Sequence, residues 1–108
     1  MRLFKKGDIA INPKHDDKAA SIHPLLHLDK EHAAIITHKP PIGVKGIKIE
    51  PTDVYGLEFD SRQSYVTDEI VKNTSGKKIG GIKSSFLPKL NNLAKNLGTD
   101  DFKYDTGG

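Results

Sequence analysis

The sequence predicts a mostly β domain that closes on a C-terminal α-helix, an α+β chain built as a small, strongly bent barrel flanked by that helix. Three observations carry this. Short apolar runs with period-two alternation recur between Pro and Gly breaks, one aromatic-rich segment reads as a hairpin, and only residues 86–97 show sustained helical periodicity. With 108 residues there is room for one domain and one core. Because 35% of residues are hydrophobic and only 6% aromatic, that core must rest on Ile, Leu and Val. There is no cysteine, so disulfides and thiolate zinc sites are excluded and packing alone must stabilise the chain.

In chain order, "KKGDIAIN" sets a turn glycine, Gly7, before alternating Ile9 and Ile11 and stops at Asn12-Pro13, the pattern of a strand with one buried face. Residues 13–31 lack alternation and read as a long connection, with a turn of helix between Ser21 and Asp29. "HAAIITH" (32–38) reads as a central strand ended by Lys39-Pro40-Pro41. "VKGIKIE" adds a strand that Pro51 breaks. In "VYGLEFDSRQSYVTDEIV", Tyr55, Leu57 and Phe59 share a side, 60–63 makes a turn and Ser64 to Thr67 returns, which predicts a hairpin. Phe86, Leu87, Leu90, Leu93, Ala94 and Leu97 then define one helical face over about 85–97, with Ser84 or Ser85 as cap, Pro88 in the first turn and Gly98 as the stop. A single domain over 1–98 and a flexible tail over 99–108 are expected.

The order "KKGDIAI", long loop, "HAAIITH", "YGLEFDSRQSYVTDEIV" resembles the SH3-like barrels of the KOW and Tudor type over roughly residues 5–71. In those barrels the first strand commonly follows Gly-Asp, and a later hairpin runs aromatic-x-hydrophobic-x-Phe, polar turn, Tyr-Val. The resemblance implies an SH3-like barrel and a binding module. The chain departs from the KOW pattern after Ile11, where a histidine-containing loop replaces the glycine-centred turn.

Charge is segregated. Up to Glu69 the chain is almost neutral, whereas 70–98 carries Lys72, Lys77, Lys78, Lys83, Lys89 and Lys95 and no acid. A surface helix ordinarily mixes both signs, and lysines beside Gly76, Gly80 and Gly81 in "SGKKIGGIKSS" suit a flexible loop tracking phosphates, although the Walker A order is absent. These six lysines, with Lys5 and Lys6 as additions, are the candidate nucleic-acid contacts. Few aromatics interleave them, so nonspecific duplex backbone contact is expected over base stacking. The expected function is a non-enzymatic nucleic-acid-binding accessory protein, with a protein-binding adaptor or enzyme inhibitor as the alternative.

His15, His23, His27, His32 and His38 lie among Asp16, Asp17 and Asp29. Imidazoles and carboxylates could ligate zinc without thiols, and His23 with His27 would share a helical face; His15, His32 and His38 could instead serve a small metal-independent nuclease. No recognised ligand motif or nucleophile elbow accompanies them, so no metal, cofactor or catalytic residue is assigned. No apolar run approaches the about 20 residues of a membrane span, and the N-terminus lacks a signal-peptide core, so a cytoplasmic protein with no membrane partner is expected.

Overall fold

The computed structural model describes residues 4–56 and 64–96, with side chains as far as Leu93. The architecture is mostly β with a C-terminal helix, as expected. Seven strands, β1 (Asp8–Ile11), β2 (Leu25–His27), β3 (His32–Thr37), β4 (Gly46–Ile49), β5 (Val54–Tyr55), β6 (Ser64–Lys72) and β7 (Lys77–Ile82), form one curled antiparallel sheet in the order β4-β6-β3-β2-β1-β7-β5. A short α1 (Lys18–Ile22) follows β1, and α2 (Leu87–Asn96) follows a 3-10 turn at Ser84–Phe86.

Alternation on the strands distributes the apolar side chains over two faces. On one, Ile9, Leu26, Leu28, Ala34, Ile36, Ile49, Val54 and Val66 pack with Phe86, Leu90 and Leu93. The opposite face carries a smaller cluster, Leu25, Ala33 and Ile35 beneath Ala20 of α1. The central strand β3 is therefore buried on both sides, which explains its unbroken "AAII" run. Burying each large side chain here contributes about 1.5–3 kcal/mol before conformational entropy is subtracted.

Two bulges curl the sheet. Between Ala34 and Ile36, β6 advances from Ile70 to Val66, and the Thr67 hydroxyl fills the break by donating to the Ile35 carbonyl (2.8 Å) and accepting from the Glu69 N–H (3.2 Å). A second shift, between Ile9 and Ala10, leaves Ile79 of β7 unmatched. Bulges raise local twist and bend the strand, and here they let one sheet wrap a single helix.

Four sequence expectations change. The 13–31 connection contains a helix before Pro24, not after it, and a strand, β2, which inserts between β1 and β3. "KKIGGI" is strand β7, not a flexible loop. A Cβ at Gly81 would come 2.6 Å from the hydroxyl of the exposed Tyr55 ring, which would have to shift, and Gly76 adopts φ +115° in the preceding turn, where a Cβ would meet the Ile11 carbonyl. The described ends of the proposed hairpin do not pair: β5 joins β7, while β6 joins β4 and β3. Ser84 and Ser85 begin a 3-10 turn rather than capping α2, and Leu87 stays partly exposed. Leu57, Phe59 and the 60–63 turn of the expected hairpin, the Ala94 side chain, Leu97, the Gly98 stop and the 99–108 tail lie outside the described residues.

Asp53 locks the β4–β5 connection onto the start of α2. Its carboxylate, buried, accepts from the Glu50 N–H (3.1 Å), the Ser85 hydroxyl (3.1 Å) and the Lys89 ammonium (3.5 Å), while its carbonyl accepts from the Lys83 N–H (2.7 Å). Burial pushes this carboxyl's pKa up, but the hydrogen bonds from Glu50 and Ser85 and the Lys89 charge outweigh it, and the net shift is downward. A depressed carboxyl adds stability above its ordinary value of about 3.9, and that share is lost as the pH falls through the lower folded value. Asp53→Ala should cost about 1–3 kcal/mol in denaturant unfolding at pH 7 and should flatten the acid limb of the stability curve below about pH 4.

Candidate functional site

The ends of β1, β6 and β7 meet at one edge of the molecule. β1 runs out at Ile11, which is paired with Lys77 at the start of β7, while β6 ends at Lys72, the ladder partner of His32. The two loops that leave this edge, 12–17 and 73–76, face each other across an open cleft of about 570 Å³ lined by Asn12, Lys14, His15, Lys72, Asn73 and Ser75 among others.

A buried polar chain braces the floor of the cleft. The Lys14 N–H donates to Asn12 Oδ1 (3.3 Å), Asn12 Nδ2 donates to Asn73 Oδ1 (2.8 Å), Asn73 Nδ2 reaches Nε2 of His27 (3.1 Å), and Nδ1 of His27 reaches the Asp8 carbonyl (3.2 Å). Both ends are backbone groups with fixed roles: an amide N–H can only donate and a carbonyl can only accept. That fixes every amide and the ring between them, so His27 is the neutral Nδ1–H tautomer with Nε2 as acceptor. Its ring is fully buried and lies 4.1 Å, centroid to centroid, from Phe4. Burial lowers its pKa, against the opposing pull of the Asp8 carbonyl, Asn73 and the Asp8 and Asp29 charges. Asn12 also donates to Ser75 Oγ (3.3 Å), tying in the second loop.

His15 crosses the cleft. Its Nδ1 accepts from the Asp17 N–H (2.9 Å), so Nε2–H donates to the Lys72 carbonyl (2.8 Å). Asp17 in turn caps α1 through the Ala20 N–H (3.0 Å).

The six lysines of the basic stretch separate. Lys72 and Lys77 stand exposed at the cleft edge, and Lys83 is exposed beyond the other end of β7; none has an ion pair among the described residues. Lys78 is bound to Asp8 (3.1 Å), whose hydrogen bond is the main cause of its raised pKa, and Lys89 is bound to Asp53. Lys95 lies on α2, its side chain outside the description. Lys6 donates to Asn91 Oδ1 (2.7 Å). Lys14, which sequence reasoning passed over, joins Lys72 in the cleft lining.

The histidines also disperse. His23 ends α1, its ring on the Ala19 carbonyl (2.8 Å), and His27 is on a strand, so the pair shares no helical face. His32, held by Asp29 (3.1 Å), and His15 both adjoin Lys72; His38 lies past the far end of β3, 3.2 Å from Ser64 Oγ. Among the described residues no three metal-ligating side chains converge.

Asn12 and Asn73 were not expected from the sequence. Their one signal is position, each an Asn at the end of an apolar strand pattern, where an amide can tie off the ladder.

Comparison of the chain with protein-family models, curated proteins and solved structures returned no match.

Asn73→Ala strips His27 and Asn12 of one side-chain partner each and should cost about 1–3 kcal/mol, whereas Ser75→Ala, at an exposed position, should stay within about 0.5 kcal/mol. Urea unfolding of the two variants side by side checks the difference.

Proposed function

We propose that this chain is an SH3-like, nucleic-acid-binding accessory domain that grips the phosphate backbone. The observation that supports the reading best is the separation of the lysines: Lys78 and Lys89 are committed to buried or half-buried carboxylates, while Lys14, Lys72, Lys77 and Lys83 are exposed without an ion pair among the described residues. Lys14, Lys72 and Lys77 gather where β1, β6 and β7 end. Lys83 stands roughly 20 Å from Lys77 along β7, since six residue steps separate them at about 3.3 Å each. Contact with backbone rather than stacked bases fits the aromatics, because of the described rings only Tyr55 is exposed. The curled antiparallel sheet is compatible with an SH3-like barrel.

A second reading, a small metal-independent nuclease, is favoured by the placement of two histidines beside one lysine, His15 on the Lys72 backbone carbonyl and His32 as the ladder partner of Lys72. Cleavage of generic RNA and DNA by the wild type, lost in His15→Ala and His32→Ala, would support it; no cleavage by the wild type would remove it.

Four exposed cations imply a slope of about −3 to −4 in log K against log salt for a generic duplex, rather than the roughly −5 of six. Lys72→Ala, Lys77→Ala and Lys83→Ala should each reduce that slope by about one, while Lys78→Ala should leave it nearly unchanged. No binding at low salt, or equal losses from all four variants, would contradict the proposal.

A further inference from the structure

The polar chain under the cleft has a single polarity compatible with both of its ends. Reading outward, the Asp8 carbonyl takes the Nδ1 proton of His27, Nε2 takes a proton from the Asn73 amide, Asn73 Oδ1 takes one from Asn12, and Asn12 Oδ1 takes the Lys14 N–H. A proton added at Nε2 turns that acceptor into a donor facing the Asn73 NH2 group. Asn73 can answer by turning its amide over, which presents its NH2 to that of Asn12. Asn12 can turn in the same way, and then its NH2 faces the Lys14 N–H. The backbone N–H has no alternative role, so the mismatch stops there and the bond to Lys14 breaks. Ser75 can follow the reversal, since its hydroxyl rotates to donate to Asn12 Oδ1.

We propose that His27, Asn73 and Asn12 form an acid-sensitive latch on the cleft: one proton bound at Nε2 of His27 reverses the chain and frees the Lys14 amide, loosening the Pro13–Lys14 start of the 12–17 loop while His15 stays bound to the Lys72 carbonyl. The freed segment is short: Pro13 has no N–H and Lys14 is exposed, whereas from His15 onward the loop is held by the His15 N–H on the Asn12 carbonyl (3.0 Å) and by Nε2 of His15 on the Lys72 carbonyl (2.8 Å). The groups facing the ring set when this happens. Asp8 on β1, itself bound to Lys78 of β7, and Asp29 in the β2–β3 turn both favour the proton, whereas the surrounding burial opposes it more strongly. Phe4 lies against the ring, and the Asn73 backbone, just past the end of β6, also favours the proton. The neutral state is thus the resting state at pH 7, and the latch opens only as the pH falls below the ordinary histidine value of about 6.5. His15 is a second titratable group beside the loop, but its proton would displace the Asp17 N–H, not that of Lys14. The inference does not depend on what the lysines bind.

The test is amide hydrogen exchange of the full chain between pH 7.5 and 5, corrected for the intrinsic pH dependence of exchange, with the histidine rings titrated by NMR in the same samples. A one-proton latch predicts that the opening equilibrium of the Lys14 amide rises about tenfold per pH unit until His27 is half titrated, with strands β2 and β3 remaining protected. In His27→Gln, which cannot take the proton, that rise should vanish. The wild-type data decide the matter if the variant fails to fold. A Lys14 amide indifferent to the His27 titration, one that follows His15 instead, or a loss of protection throughout the chain in the same step would each overturn the proposal.

Discussion

The His27 ring is fully buried, so its state is decided by neighbours that the fold supplies. The Asp8 carbonyl comes from β1 and Asn73 from the end of β6, on either side of β2. Leaving either ring nitrogen unpaired at full burial would cost about 1–3 kcal/mol, a sizeable part of the stability of a domain this small. The arrangement therefore holds three strands and two loops in one relation. The cleft exists because the 12–17 and 73–76 loops are tied to the same pair of asparagines.

The same economy governs charge. Asp8 and Asp53 each draw a lysine out of the basic stretch, one at β7 and one at α2. These pairs lie near opposite ends of β7, and together they turn a run of six positive residues into a few separated, solvent-facing cations. Partly exposed ion pairs add little stability by themselves, about 0–1 kcal/mol. Their larger effect is to take Lys78 and Lys89 out of the basic stretch, leaving Lys72, Lys77 and Lys83 exposed without an ion pair among the described residues.

The α2 helix, β1, β3 and β4 were legible because their patterns are local: a 3.6-residue face from Phe86 to Leu93, or a short apolar run bounded by Pro or Gly. β2 escaped because three residues, Leu25–His27, are too few to show alternation, and its central position rests on partners on both sides. β7 escaped because Lys-Lys and Gly-Gly argue against a strand; the Tyr55 ring lies over Gly81 and the Gly56 backbone close to Ile79 and Gly80, and no local pattern encodes that approach. Of the expected hairpin only the ends are described, and Tyr55 pairs with Gly81 of β7, a partner no local pattern names. At the site, the basic character of 72–95 was legible and its division was not, because Asp8 and Asp53 are distant in sequence. The histidine-rich region drew attention to metal and catalysis, while the histidine with the strongest structural constraint, His27, is distinguished only by its burial.

The most direct examination is the tautomer of His27, read from long-range nitrogen–proton correlations in the NMR spectrum of uniformly labelled protein at pH 7.5. A chain anchored by the Lys14 N–H and the Asp8 carbonyl requires a protonated Nδ1 and a bare Nε2. An Nε2–H tautomer, or an imidazolium at that pH, would contradict the hydrogen-bond polarity on which the cleft is built.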